Sequence, residues 1–183
     1  MSNKFKAKKN TPAAPVGKRL WHYTATRRLA KIIESRKIMA TSMGIEPMEH
    51  PVVWFSSNPD FEQSARNEIR DKDNGSARPE ATREEMFRAG FPPVRIEINT
   101  SKVRVLDWEG YKKMSGISEE AALGLEKAGV EKGAEPSEWY VSFESVPLAG
   151  GCRFPIEIWN GRQWIDIERA RPGTHRGVKL DPK

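Results

Sequence analysis

The sequence predicts an α+β domain built on a twisted, mainly antiparallel sheet with peripheral helices. Three observations carry that expectation. Strand-like segments outnumber helical ones, the helical patterns come early, and neither a G-x-G-x-x-G turn nor a P-loop is present. Alternating strands and helices with a glycine-rich phosphate cradle would have pointed to a doubly wound nucleotide fold instead.

Taken in order, residues 1–17 are rich in Lys, Pro, Ala and Asn, lack apolar periodicity, and read as a disordered basic tail. Leu20, Trp21 and Tyr23 suit a buried pleated surface, so residues 19–24 read as a strand with His22 on the opposite face from its neighbours. Thr24 or Thr26 is expected to cap a helix over 25–35, with Leu29, Ile32 and Ile33 along one apolar stripe. Residues 37–41 look extended, and 42–51, with Gly44, Pro47 and Pro51, look like a loop. Residues 52–57 form the clearest central strand of the first half; Asn58-Pro59 ends it, and 61–69 is expected to be a short helix carrying Ser64 and Ala65. The charged stretch 70–77 contains Asn74-Gly75 and reads as a surface loop.

Thr82 with Glu85 forms a capping-box pattern for a helix ending near Gly90. Strands are expected at 94–98 and 103–108, and Ser118 is expected to cap a helix to residue 128 that Gly129 closes. Residues 137–143 make a strong strand pattern with Glu138 at its entrance. The stretch 146–148 leads into Gly150-Gly151, then 154–159 and 163–167 form a hairpin around Asn160-Gly161. The expected organisation is one domain over 18–168, with a polar basic tail over 169–183.

Composition bounds the function. A chain of 183 residues, 37% hydrophobic and 31% charged, is long enough for one cored domain. No apolar run approaches the roughly 20 residues of a membrane helix, and the basic start is followed by TPAAPVG rather than an apolar signal core. Cys152 is the single cysteine, which excludes an internal disulfide and a multi-cysteine zinc site; a cytoplasmic setting is the resulting expectation. The net charge of +6 fits a nucleic-acid or nucleotide partner, or a solubilising arm, since Lys4, Lys6, Lys8 and Lys9 all lie in the N-terminal tail. No pair among His22, His50 and His175 has metal-ligand spacing, so no metal is expected. Glu84, Glu85, Glu119 and Glu120 fall in first helical turns and complement the helix dipole.

Three segments, LWHYTATRRLAKIIESRKI, VVWFSSNPDFEQSA and SEWYVSF, together resemble the signature strands of the ADP-ribosyltransferase superfamily. The resemblance is to the His-Tyr-Glu branch of the poly(ADP-ribose) polymerases and diphtheria-type toxins, whose fold the tRNA 2′-phosphotransferases share. It runs over residues 19–148 and implies a split sheet and NAD as substrate, without a metal. It also implies that His22 meets a ribose hydroxyl, that the Tyr23 backbone holds the nicotinamide amide, and that Thr24 follows where a serine or threonine is common. Trp54 takes the position of the tyrosine packed on the nicotinamide, continued by Phe55 and Ser56. Ser64 before Ala65 matches a serine that bonds the carboxamide, and Glu138 matches the catalytic glutamate. Two departures stand out: Trp54 replaces a tyrosine, and Tyr23 replaces a glycine.

These residue types suit that chemistry on their own terms. Breaking a nicotinamide–ribose bond generates an oxocarbenium-like cation, which a carboxylate stabilises more than the neutral ground state. The expected activity is transfer of ADP-ribose from NAD to a macromolecular acceptor, nucleic acid or protein, with His22 and Glu138 essential. The alternative is a basic module of the same fold that binds nucleic acid or an ADP-ribose-like ligand without catalysis. In the plainer readings, Glu138 is a solvent-facing strand residue, Trp54 a core anchor, and Ser56, Ser57 and Ser64 turn or cap hydroxyls.

Overall fold

A computed structural model describes residues 17–41, 49–70 and 77–169. The expected 42–51 loop, the 70–77 loop and both tails therefore lie wholly or largely outside the described residues. Strand β1 (Leu20–Ala25) runs directly into helix α1 (Thr26–Ser35), followed by β2 (Lys37–Ile38) and β3 (Val53–Ser56). A hairpin of β4 (Asn67–Arg70) and β5 (Ala77–Ala81) precedes α2 (Arg83–Arg88) and β6 (Pro93–Ile98). Then come β7 (Leu106–Asp107), α3 (Trp108–Met114), α4 (Glu119–Glu131), β8 (Trp139–Ser142), β9 (Val146–Pro147), β10 (Cys152–Trp159) and β11 (Trp164–Asp166).

Seven strands form one sheet in the order β11-β10-β6-β1-β3-β8-β7, and every pairing in it is antiparallel. The chain is thus mixed α+β with a mainly antiparallel sheet, as the sequence implied. The three segments singled out in the sequence supply β1, β3 and β8, which are consecutive neighbours in it. On one face, Leu20, Val53, Phe55, Ile96, Ile98, Tyr140, Ile156 and Ile158 pack with Leu29 of α1. Val52 on the approach to β3 and Trp139 and Val141 of β8 instead join Leu106, Trp108 and Tyr111 in a second cluster. That alternation is the period-2 consequence of a strand buried on both faces. Among the described residues, no helix is long and apolar enough to cross a membrane.

Several local expectations give way to other hydrogen-bond partners, some distant and some local. Ala25, not a threonine, precedes α1 and makes no side-chain cap; the Thr26 N–H instead donates to the Pro92 carbonyl at 3.1 Å. Ile33 is 51% exposed and lies off the buried stripe. No helix forms over 61–69, because Asn58 Oδ1 accepts from the Asp60 and Phe61 N–H groups and Glu62 accepts from that of Ser64, local bonds that compete with a helix. Residues 67–70 join a hairpin instead. The expected strand over 103–108 shrinks to β7, because the Asp107 carboxylate accepts from the Gly110 N–H at 2.8 Å and starts α3.

Helix α4 passes through Gly129 rather than ending there, and the left-handed turn falls at Gly133. Glu138 sits in a tight turn over Pro136–Glu138, just before β8 rather than within it. The Thr82–Glu85 capping box is present as expected, with both reciprocal hydrogen bonds made.

Candidate functional site

The central sheet parts between β1 and β3. β1 is registered with β6 over six residue pairs and β3 with β8 over four, yet β1 and β3 share one, Trp21 with Ser56. A cavity of about 370 Å³ opens there, lined by Trp21, His22 and Tyr23 from β1 and by residues 52–56. α4 closes another side through Leu125, Ala128 and Gly129. A Cβ on Gly129 would stand 2.4 Å from Cζ2 of Trp139, so only glycine lets the helix lie this close to the indole.

His22 bridges the parting. Its Nδ1 lies 3.0 Å from the carbonyl oxygen of Trp54, and since a carbonyl only accepts, Nδ1 carries the proton. Enclosure of the ring lowers the His22 pKa from its ordinary 6.5, and the nearby Arg28 guanidinium lowers it further, against the Trp54 carbonyl. The imidazole is therefore neutral at pH 7, and Nε2 is an acceptor with no protein partner among the described residues.

The aromatic wall differs from the one anticipated. Trp54 stands 5.0 Å from Tyr111, 6.1 Å from Trp108 and 6.3 Å from Trp139, measured between ring centroids. Trp54, Tyr111 and Trp139 line the cavity. The Tyr23 ring instead packs against Phe61 and Trp164, and its hydroxyl donates to the Asn58 carbonyl at 2.5 Å. Burial pushes the Tyr23 phenol well above its ordinary range. Tyr140 belongs to the central core and does not line the cavity; nor does Thr24, which is buried opposite Val94.

Two carboxylates lie near this space. Glu138 is half-buried, its carbonyl accepts from the Ser57 N–H, and its Oε2 accepts from Asn58 Nδ2 at 3.0 Å. It is one residue from cavity-lining Trp139 but is not itself in the lining. Glu62 is in the lining and is only 7% exposed. Its Oε1 accepts from the Ser64 N–H at 3.0 Å, the Ser64 hydroxyl at 2.6 Å and the Trp139 indole N–H at 3.2 Å. Ser64 and Ala65 line the cavity too, as do Arg28 and Lys132.

Of the anticipated residues, His22, Tyr23, Trp54, Phe55, Ser56 and Ser64 thus surround one cavity, with Glu138 beside it and Thr24 apart. Comparison with family models, with curated proteins and with solved structures finds no match. Geometry alone must carry the functional reading. Glu62 and Asn58 were not anticipated. Asn58-Pro59-Asp60 is an Asx-turn signal, which the helical reading of 61–69 obscured, and the turn is what aims Glu62 back at Ser64 and Trp139.

Proposed function

We propose that the chain has an ADP-ribosyltransferase-like fold and cleaves the nicotinamide–ribose bond of NAD, passing ADP-ribose to a macromolecular acceptor. The observation that carries this reading is the adjacency of β1, β3 and β8 around a single cavity that holds a neutral imidazole and an indole. The nicotinamide ring lies against Trp54 in this reading, and His22 Nε2 accepts from a ribose hydroxyl. That pair fixes the sugar relative to its leaving group, an orientation effect rather than covalent catalysis.

As the glycosidic C–N bond breaks, its electron pair leaves with nicotinamide and positive charge grows on the ribose. Glu138, held by Asn58, supplies the stabilising carboxylate. An acceptor nucleophile then bonds to the anomeric carbon and gives up its proton to solvent or base. One observation favours the second reading, a non-catalytic module binding an ADP-ribose-like ligand or nucleic acid: Glu138 is absent from the cavity lining.

Incubation with NAD separates the two. Release of nicotinamide by the wild type, reduced at least about 100-fold in Glu138→Gln, supports cleavage through that carboxylate. No release from the wild type leaves the binding module, and equal release from both proteins removes Glu138 from the chemistry.

A further inference from the structure

The two helices that reach the cavity, α1 through Arg28 and α4 through Leu125, Ala128 and Gly129, differ in charge. Five of the twelve residues 26–37 are basic, Arg27, Arg28, Lys31, Arg36 and Lys37, and one, Glu34, is acidic; all six are exposed. Helix α4 instead carries Glu119, Glu120, Glu126 and Glu131 against Lys127. The cations of α1 are also unlike those elsewhere in the fold. Arg19 is paired with Glu97, Arg83 with Asp60 and Glu84, Arg95 with Glu157, and Lys112 with Glu109 and Glu126. Arg27 lies 5.0 Å from the Phe91 ring centroid. The side chains of Arg28, Lys31, Arg36 and Lys37 have no hydrogen-bond or ion-pair partner among the described residues. Arg28 stands in the first turn of α1, where no acidic residue is present and the positive end of the helix dipole opposes a cation, so local helix energetics do not account for it. Lys31, three residues on, shares its face, and Arg36 and Lys37 follow where the helix ends, about 12 Å beyond Arg28 at the helical rise.

We infer that this ridge binds the phosphate backbone of a single-stranded nucleic acid and presents one of its nucleotides at the cavity mouth beside Arg28. Unpaired lysines and arginines neutralise phosphates and release their counterions, whereas a cation already held by a carboxylate must first give up that partner. The strand follows α1 because the carboxylates of α4 repel it. It is single because only an unpaired nucleotide can turn out of the stack toward the mouth. Met39, also in the lining and 53% exposed, offers an apolar face to a base there. An acceptor protein presents mixed charge, and a ridge on which Glu34 is the one acid suits a polymer that is negative at every unit. The role of this strand as acceptor rests on the proposed function; its binding along α1 does not.

The test follows, by fluorescence anisotropy, binding of labelled DNA and RNA single strands of about 15 nucleotides to the full chain between roughly 50 and 200 mM salt. Two variants carry the same change in net charge. One is Arg28→Gln, Lys31→Gln, Arg36→Gln and Lys37→Gln together, all at exposed positions, with the fold checked by thermal unfolding. The other is Lys4→Gln, Lys6→Gln, Lys8→Gln and Lys9→Gln. The ridge variant is expected to bind at least about tenfold more weakly at the lower salt, with the slope of log K against log salt reduced by about 3, and the tail variant to stay within about threefold of wild type. Binding of DNA, RNA or both in this pattern supports the inference, and a preference between them names the sugar. No binding by wild type, no loss in the ridge variant, or an equal loss in the tail variant would overturn it, as would a polyglutamate peptide of equal charge that binds the ridge as tightly as the oligonucleotides. If binding depends on the ridge while NAD stays intact, the surface stands and the enzymatic reading fails. If NAD is cleaved while oligonucleotide binding is indifferent to the ridge, the enzymatic reading stands and the surface fails.

Discussion

Two tryptophan-rich regions flank the middle of the sheet, and they differ in what their polar neighbours do. In the first, Trp21, Trp159 and Trp164 are covered by guanidinium groups: Arg83 lies 3.8 Å from the Trp159 ring centroid, and Arg95 lies 4.7 Å and 5.5 Å from those of Trp164 and Trp21. Both arginines are committed, Arg83 to Asp60 at 2.5 Å and Glu84 at 2.9 Å, and Arg95 to Glu157 at 2.6 Å and the Pro59 carbonyl. In the second, Trp54, Trp108, Tyr111 and Trp139 interlock with one another, and the carboxylates serve the indoles: Glu126 accepts from Trp108 and Glu62 from Trp139. The first region spends its charges closing the surface, and of its three indoles Trp21 alone lines the cavity. The second lines a cavity with Trp54, Tyr111 and Trp139, and the buried Glu62 beside them. Aromatic content alone therefore does not mark the site; a cavity on which polar groups converge beside an aromatic wall does.

The sharpest way to break this contrast is Trp139→Ala. It removes a side chain only 6% exposed and takes away the indole donor to Glu62, and should cost about 3–5 kcal/mol in denaturant unfolding. A loss below about 1 kcal/mol would mean that the aromatic box is not a packed unit. Next comes Gly129→Ala, where a clash with the Trp139 ring outweighs the gain in helix propensity, for a net loss of about 1–2 kcal/mol. A stabilised variant would show that α4 can move off the indole.

Arg95→Met probes the other region. It should cost about 1–2 kcal/mol by loosening Glu157 and the Trp164 face, a figure kept small by partial exposure of the pair, and leave NAD affinity at the wild-type value. A matching fall in ligand affinity would erase the distinction between the regions. The smallest effect concerns pH. Because the His22 pKa is depressed on folding, the unfolded chain binds the proton more readily. Stability should fall as pH drops below 6.5, by at most about 1.4 kcal/mol per pH unit, until the folded-state pKa is passed. His22→Gln should flatten that limb in a thermal unfolding series, and an unchanged slope would assign it to other groups.

Strand segments with strong periodicity, such as Leu20–Ala25, Pro93–Ile98 and Trp139–Ser142, were legible in the sequence because alternation and β-branched or aromatic content are local properties. The same holds for the Thr82–Glu85 box, whose two partners lie one helical turn apart. Helix α1 shows the limit: the donor at its start is satisfied by Pro92, 66 residues away along the chain, and no local pattern reports such a bond. The failed helix over 61–69 shows the reverse, a local Asx turn overriding apparent helical spacing.

By itself, the amino-acid order determined which residues are chemically capable: an imidazole on one strand, an indole on another, carboxylates at 62 and 138, a serine at 64. Only the tertiary structure decided which of them share a space, because the parting of β1 from β3 depends on long-range pairing that each strand makes with its other neighbour. That pairing leaves the Trp54 carbonyl to His22, while the turn at Asn58 brings Glu62, rather than Glu138, into the cavity lining. Hydrogen-bond satisfaction is a property of the whole fold, and it put Glu62 in the lining where the sequence pointed to Glu138.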